Sequence, residues 1–383
     1  MLRDELPGFE ECLKYSMLAQ RSFLTFVRRD YIADKAQREQ EEAQEGPAPQ
    51  FVVQREVWRL LRGLRFRCSI VNEVTEASVS ATAKAQPWSE ADREAAEEGP
   101  GREQGEDVES GKEPRYDIRI IPDLNALTPD QQTVLAKQMM RDYTVAEDGG
   151  DASTPTQIFI GIVPWSVESP ATLDTSARPH KSVLKSSITV RDWLRHKFWL
   201  AGAMPDTPGQ QGGRSASNNS SGSSSSSGSS GSDLAETVES IRLKNDFSEV
   251  HLEPSVRRYI LDIMVHLRMH RLSYHAKGGG VQKAALDSMA LLCRLVSYDR
   301  GQEYVTPNVV KEVSFLYFPV HLSLIHSATG DTSRLYGSSY RLIQEFLDNV
   351  AKVKAHEAAA LDNPLFLEYL VVHDVLRKIV PAI

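Results

Sequence analysis

The chain is short of most of the features that give a protein's work away. Three cysteines in 383 residues, Cys12, Cys68 and Cys293, are odd in number and far apart. That argues against a disulfide framework and for free thiols in a reducing compartment. Positive charge is not in excess: the formal net charge is −8, so no general attraction to nucleic acid or to an anionic membrane is expected. No apolar run approaches the roughly 18 residues that a membrane span requires. The N-terminal MLRDELPGFEE is acidic and lacks the apolar stretch of a signal peptide. The N-x-S sequons at Asn218 and Asn219 are therefore expected to carry no glycan. An intracellular protein, nuclear or cytoplasmic, is the expectation. No internal repeat is visible.

Catalytic motifs are equally scarce. A phosphate-binding loop, G-x-x-x-x-G-K-[ST], uses backbone amides and one lysine to cradle phosphates, and none is present. The nearest approach, GEDVESGKE at Gly105–Glu113, has one residue too many between its glycines and Glu113 in place of the hydroxyl. No G-x-S-x-G nucleophile elbow occurs. His266, His270 and His275 lie close together, but HLRMH lacks the glutamate of a metalloprotease helix. Both His266 and His270 point away from the apolar stripe of their helix, so no metal site is expected. Arg257, Arg268 and Arg271 border the same stripe. From Ile241 onward, 17 Lys+Arg stand against 15 Asp+Glu, and arginines flanking a core stripe usually snorkel or pair. Direct DNA contact is not expected of them.

What is there is a core and a pattern. Apolar residues make up 41% of the chain, enough for one large domain or two smaller ones. Ile118, Ile120 and Ile121 form a run suited to a buried strand. The run ends at Pro122, and Thr128, Pro129 and Gln131 carry the spacing of a capping box with proline at the first helical position. Val134, Leu135 and Met139 mark one face of the helix that follows, and Gln157–Val163 reads as the next strand. Strand, helix and strand in this order make a parallel crossover. Asp123 stands on the loop after the first strand, where a nucleotide-hydrolysing fold would hold magnesium. Hydrolysis also needs a neighbouring acid, and Leu124 occupies that place, so a turn or cap role is favoured for Asp123.

The periodicity predicts a helix from Leu6 to about Asp30, a loop over 36–49, a helix over Val52–Leu64 and a strand over Phe66–Val71. Residues 81–114, rich in Glu, Ala and Gly, read as a disordered insertion. Thr189–Leu200 has helical spacing. Domain boundaries are set at 1–204 for an α/β core, 205–240 for a Gly/Ser-rich flexible linker and 241–383 for an all-helical part. Within the last, Pro254–Leu272, Lys283–Tyr298, Pro307–Phe318, Tyr340–Lys354 and Pro364–Val380 are the helices.

Two segments carry a resemblance. IIPDLNALTPDQQTVLAKQMMRDYTV (Ile120–Val145) resembles the Walker B strand and following helix of MoxR-type and magnesium-chelatase-type AAA+ ATPases. Val256–Leu272 with Val296–Phe318, including YDRGQEYVTPNVVKEV, resembles their helical lid. The resemblance implies a parallel sheet covered by helices with a C-terminal helical lid. Its catalytic positions are altered: no counterpart exists for the phosphate-binding lysine, and Leu124 replaces the catalytic glutamate beside a vestigial Asp123. Val163 stands at the sensor asparagine, Lys197 at the arginine finger and Gln282 near the second sensor arginine. The chain also resembles, over nearly its full length, the fungal maintenance of telomere capping protein 2 family, through LPGFEECLKYSMLAQRSFL, IIPDLNAL, IFIGIVPW, WLRHKFW, VRRYILDIMVHLRMHRLSYHAKGGGV and NPLFLEYLVVHDVLRKIVP. Together these imply a non-catalytic AAA+-like protein, without cofactor or metal, that contributes to chromosome-end protection through protein partners. Two rivals stand beside it: an unconventional ATPase using other residues, and a direct telomeric DNA-binding protein.

Overall fold

In the structure, a computed structural model, the described residues are 6–28, 49–75 (apart from 63 and 65), 78, 115–147, 156–165, 184, 186–204, 232–274 (apart from 245), 279–356 and 363–381. Helix α1 (Phe9–Ala19) leads into strand β1 (Phe23–Arg28), and helix α2 (Pro49–Leu60) into β2 (Phe66–Ile70). Strand β3 (Tyr116–Ile121), helix α3 (Pro129–Glu147) and strand β4 (Thr156–Trp165) follow. A single-turn helix, α4 (Asp192–Arg195), precedes β5 (Leu200–Ala203). The C-terminal part is helical: α5 (Ser232–Lys244), α6 (Pro254–Met269), α7 (Ala285–Asp299), α8 (Pro307–His321), α9 (Tyr340–His356) and α10 (Phe366–Lys378).

All five strands run parallel, in the order β2-β3-β4-β1-β5. This is the expected α/β class, a parallel sheet covered by helices. A parallel sheet has both faces covered, so its strands read as nearly continuous apolar runs. Every residue of β3 is buried, and so are Phe23, Leu24, Thr25, Phe26 and Val27 of β1. Gly161 of β4 makes room for this packing: a Cβ there would lie 2.9 Å from Leu24 Cδ2 and 3.2 Å from the Phe198 ring.

One strand was hidden inside a predicted helix, and a second starts on the last residue of another. The segment read as one helix from Leu6 to Asp30 is instead α1 followed by β1, a central strand. Helix α1 stops because Gln20 adopts a left-handed conformation (φ 55°) and its backbone N–H bonds Ser16 O. Likewise Thr189–Leu200 contains only the single turn α4 before the chain extends into β5. Residues 36–48, 81–114, 205–231 and His275 lie outside the described residues, and the loop, insertion and linker readings there go with them. Helix α5, however, begins at Ser232, inside the stretch assigned to the linker, with Leu234, Ala235 and Val238 buried.

The helical part does not sit apart from the sheet. Buried apolar side chains of both form one continuous core. On α6, Val256, Tyr259, Ile260, Ile263, Met264 and Leu267 are buried on one stripe. Each such aliphatic or aromatic side chain contributes roughly 1.5–3 kcal/mol on burial. Polar contacts stitch the halves together: Arg21 Nη1 donates to Ser288 Oγ at 2.7 Å, Tyr15 Oη to Asp299 at 3.3 Å, and Lys14 pairs with the same carboxylate.

Candidate functional site

The loop after β3 is built by local hydrogen bonds. Asp123 Oδ1 accepts the backbone N–H of Asn125 at 2.9 Å and of Ala126 at 3.3 Å, capping a 3-10 turn over Leu124–Ala126. Asn125 in turn is clamped: its Nδ2 donates to Ser187 O and its Oδ1 accepts from Thr189 N, both at 2.9 Å. Then comes the capping box. Thr128 N donates to Gln131 Oε1 at 2.9 Å and Gln131 N to Thr128 Oγ1 at 3.3 Å, satisfying two otherwise orphaned donors at the start of α3. Leu124 is fully buried.

In open parallel sheets, ligands sit outside the carboxyl ends of strands whose connections diverge. Here β1 leads to the far edge strand β2, while its neighbour β4 leads across it to β5, so the crevice falls between β1 and β4. At their carboxyl ends Val27 pairs with Pro164 and Arg28 with Trp165. The Arg28 guanidinium lies 5.8 Å from the Trp165 ring centroid. A magnesium–nucleotide pair needs amide-rich backbone and a lysine after β1 and free carboxylates after β3. The residues present do not fit it. The sequence following β1, Arg29–Ala48, has Gly46 as its one glycine. The Asp123 oxygen Oδ1 is committed to a cap, and a buried leucine follows it.

Of the remaining aligned positions, only Val163 lies beside that crevice. Val163 is buried within β4, paired with Phe26. Lys197 belongs to the turn before β5, where its N–H bonds Leu194 O at 2.9 Å. That turn lies at the amino end of the sheet, since Leu200 aligns with Phe23 at the start of β1. Asp123 follows the opposite, carboxyl end. Gln282 is an exposed residue whose carbonyl accepts from Ala285 N.

The other candidates are satisfied structurally. Arg257 pairs with Asp287 at 3.0 Å, Arg268 Nε donates to Val281 O at 2.9 Å, and Arg271 pairs with Asp331 at 2.5 Å. His266 Nδ1 lies 2.8 Å from Asp262 O. His270 Nε2 lies 3.1 Å from Asp374, and its Nδ1 accepts from Leu272 N. Among the described residues no group of three potential ligands could hold a metal. Cys12, Cys68 and Cys293 are buried and form no disulfide, and burial pushes the thiols of Cys68 and Cys293 up.

Two polar clusters escaped the sequence reading. In the first, Asp117 of β3, fully buried, accepts Arg67 Nε and Nη2 at 3.1 and 2.8 Å and Arg119 Nε and Nη2 at 3.0 and 2.8 Å. Burial alone would raise its carboxyl pKa, but the two guanidiniums hold it below the ordinary value. The second joins the halves of the molecule. His321, at the end of α8, stacks on Tyr317 (4.2 Å between centroids) and lies 3.2 Å by Nε2 from Trp199 O. Since a carbonyl only accepts, Nε2 carries the proton and Nδ1 is left to accept from His196 Nδ1, 3.4 Å away. Beside them Arg195, nearly fully buried, donates to Ser323 Oγ at 2.5 Å. Burial first, then His196, holds His321 well below the usual imidazole value. Only the run of basic residues in Trp193–Phe198 (WLRHKF) hinted at this cluster.

A family model, "Maintenance of telomere capping protein 2, N-terminal domain", matches residues 7–203, ending on the last residue of β5. A Saccharomyces cerevisiae protein named Maintenance of telomere capping protein 2 is 35% identical over 388 aligned residues, covering 99% of each chain. The chain belongs to the maintenance of telomere capping protein 2 family. A Zygosaccharomyces rouxii member is 37% identical over 268 residues, 70% of this chain and 73% of that one. The crystal structure of "a putative ATPase" from Cytophaga hutchinsonii covers 90% of each chain at 10% identity and a TM-score of 0.42. For this family member, then, the WLRHKF cluster and the capped loop after β3 both lie within the matched domain, while His321 and Ser323 lie beyond it.

Proposed function

We propose that this protein is a non-catalytic AAA+-like scaffold that contributes to the maintenance of telomere capping by holding other proteins. The observation that carries the non-catalytic half is the loop after β3. Its aspartate serves as a cap, its next residue is a buried leucine, and the sequence after β1 offers no phosphate cradle. Family membership supports the telomere half, and work at chromosome ends would be nuclear work. Arg257, Arg268 and Arg271 are already engaged within the chain, which weighs against direct DNA contact through them. No described helix is long and apolar enough to cross a membrane.

Calorimetry with magnesium and ATP tests the reading. Neither binding nor hydrolysis is expected, and Asp123→Ala should alter stability alone. In cells lacking the protein, the Asp123→Ala chain should restore chromosome-end protection. Magnesium-dependent ATP hydrolysis that disappears in Asp123→Ala would overturn the proposal in favour of an unconventional ATPase.

A further inference from the structure

The stretch Asp331–Leu342 displays large apolar side chains from a firmly built turn. Asp331 Oδ1 accepts Ser333 N at 2.8 Å and caps a 3-10 turn over Thr332–Tyr336. Arg271 pairs with the same aspartate and lies 5.2 Å over the Phe346 ring. Gly337, at φ 89°, reverses the chain where a side chain would be strained. Ser338 N then bonds Ser333 O at 3.1 Å, and α9 begins at Tyr340. The inner face of α9 buries Ile343, Leu347 and Ala351. On the outside, Leu335 is 83% exposed, Tyr336 88%, Leu342 66% and Tyr340 52%. The Arg334 guanidinium, 5.7 Å over the Tyr340 ring, ties the turn to the helix as one patch. Contiguous exposed apolar surface of this kind marks an interaction site.

Charge selects the occupant. Asp331 is the one acid in residues 331–344, and Arg271 engages it. No acid among the described residues pairs with Arg334 or Arg341. A second copy docked isologously would set these guanidiniums against themselves, so the patch is not suited to self-pairing. Two arginines are few for nucleic acid, whose binding rests on many phosphate contacts, and the leucines beside Tyr336 and Tyr340 offer bases no stacking face. Tyrosine and arginine around apolar anchors are instead the composition of protein hot spots.

We propose that the patch formed by Arg334, Leu335, Tyr336, Tyr340, Arg341 and Leu342 docks a partner-protein segment in which apolar anchors alternate with carboxylates. The assignment rests on the scaffold reading above and names its binding surface. It is tested in the full chain, in the cells that normally make it, with the photo-crosslinker p-benzoylphenylalanine placed at Tyr336 and, in parallel, at Trp58 on α2. Crosslinked peptides are sequenced by mass spectrometry. The expected adduct at position 336 is a recurring segment of another protein bearing Asp or Glu beside Leu, Ile, Phe or Trp. The double change Arg334→Glu, Arg341→Glu should cut its yield at least tenfold with the melting temperature unchanged, and Arg334→Lys, Arg341→Lys should keep most of it. Adducts to a second copy, to nucleic acid or to a segment without acids would overturn the proposal, as would no adduct or a yield indifferent to charge reversal. A protein adduct at position 58 but none at 336 would sink the patch and spare the scaffold. ATP hydrolysis by the purified chain would sink the scaffold itself.

Discussion

Removing the carboxylate of Asp117 should destabilise this protein more than removing either arginine it binds, by an amount the burial pattern sets. Asp117 stands opposite Arg67 on β2 and Gln157 on β4, and four guanidinium N–H groups converge on it. The two arginines are not equivalent. Arg119 has a side chain only 2% exposed, whereas that of Arg67 is 30% exposed. In Asp117→Ala, Arg67 can turn to water, but Arg119, buried, loses both its bonds to the carboxylate while keeping the Ser78 carbonyl, 2.6 Å from Nη1. Stranding a buried charge in this way costs about 3–5 kcal/mol, a large part of the 5–15 kcal/mol typical of a whole domain. Arg67→Ala leaves Asp117 its Arg119 contacts and should cost roughly 1 kcal/mol, because a part-exposed pair is screened. The double change Asp117→Leu, Arg119→Met strands nothing and should recover most of the loss. Urea unfolding followed by circular dichroism reads each as a shift in midpoint at constant slope. The pH dependence adds a check. Because the folded carboxyl is held below its ordinary value, its contribution is present above the unfolded value of about 3.9 and fades as pH falls toward the folded one. The Asp117→Ala deficit should therefore be constant from pH 8 to 5. A loss under about 1 kcal/mol, or a double variant as unstable as the sum of its parts, would refute the reasoning.

Three further outcomes follow from single contacts. Thr128→Ala opens the capping box of α3 and should cost about 1 kcal/mol, read as a lowered melting temperature with the nucleotide response unaltered. Gly280→Ala sets a Cβ 2.2 Å from His321 O at φ 82°, and should cost about 3 kcal/mol or prevent folding, visible as loss of soluble protein or of cooperative unfolding. His321 faces His196, Arg195 and Arg21 and is held neutral in the fold. Its stabilising contribution is complete above the unfolded value of about 6.5 and is lost as pH falls, at up to about 1.4 kcal/mol per pH unit. Replacing it by glutamine, His321→Gln, keeps a donor for Trp199 O and should flatten the stability profile between pH 6.5 and 5.

The crossover at the centre of the fold was legible because its signals agree. The isoleucine run ends at a proline, the capping box sits at the right spacing, and a second apolar run follows. Strand β1 was not legible, because Phe23, Phe26 and Val27 continue the apolar spacing of Phe9, Leu13 and Met17 with no glycine or proline between. The break is made by Gln20, a residue that rarely turns left-handed. The density of aromatic and β-branched residues in FLTFV was the missed cue. Strand β5, LAGA, is four residues long, too short for a period, and exists because Phe23 to Phe26 pair with it. At the site, the cap role of Asp123 could be read from Leu124 beside it. The Asp117 cluster could not, since Arg67 comes from β2, a long sequence interval before Asp117 and Arg119 on β3.

How the helical part is held bears on what kind of machine this can be. A lid that responds to nucleotide must swing, and hinge motions need interfaces that part at small cost. Here Arg195 binds Ser323 and His321 binds Trp199 across the join, both buried, and stranding a buried polar group costs about 1–3 kcal/mol. Apolar burial adds to this, since α8 lies against β5 and presents Phe315, Phe318 and Val320 fully to the core. Opening would also strip Trp199 of the Arg21 guanidinium 5.2 Å above it. Several such losses together exceed what a single phosphate contact could repay. Asp123, the one candidate magnesium ligand after β3, already has its Oδ1 engaged in capping the turn. A fixed platform that displays the patch at Asp331–Leu342 is the use of this architecture that requires none of these contacts to break.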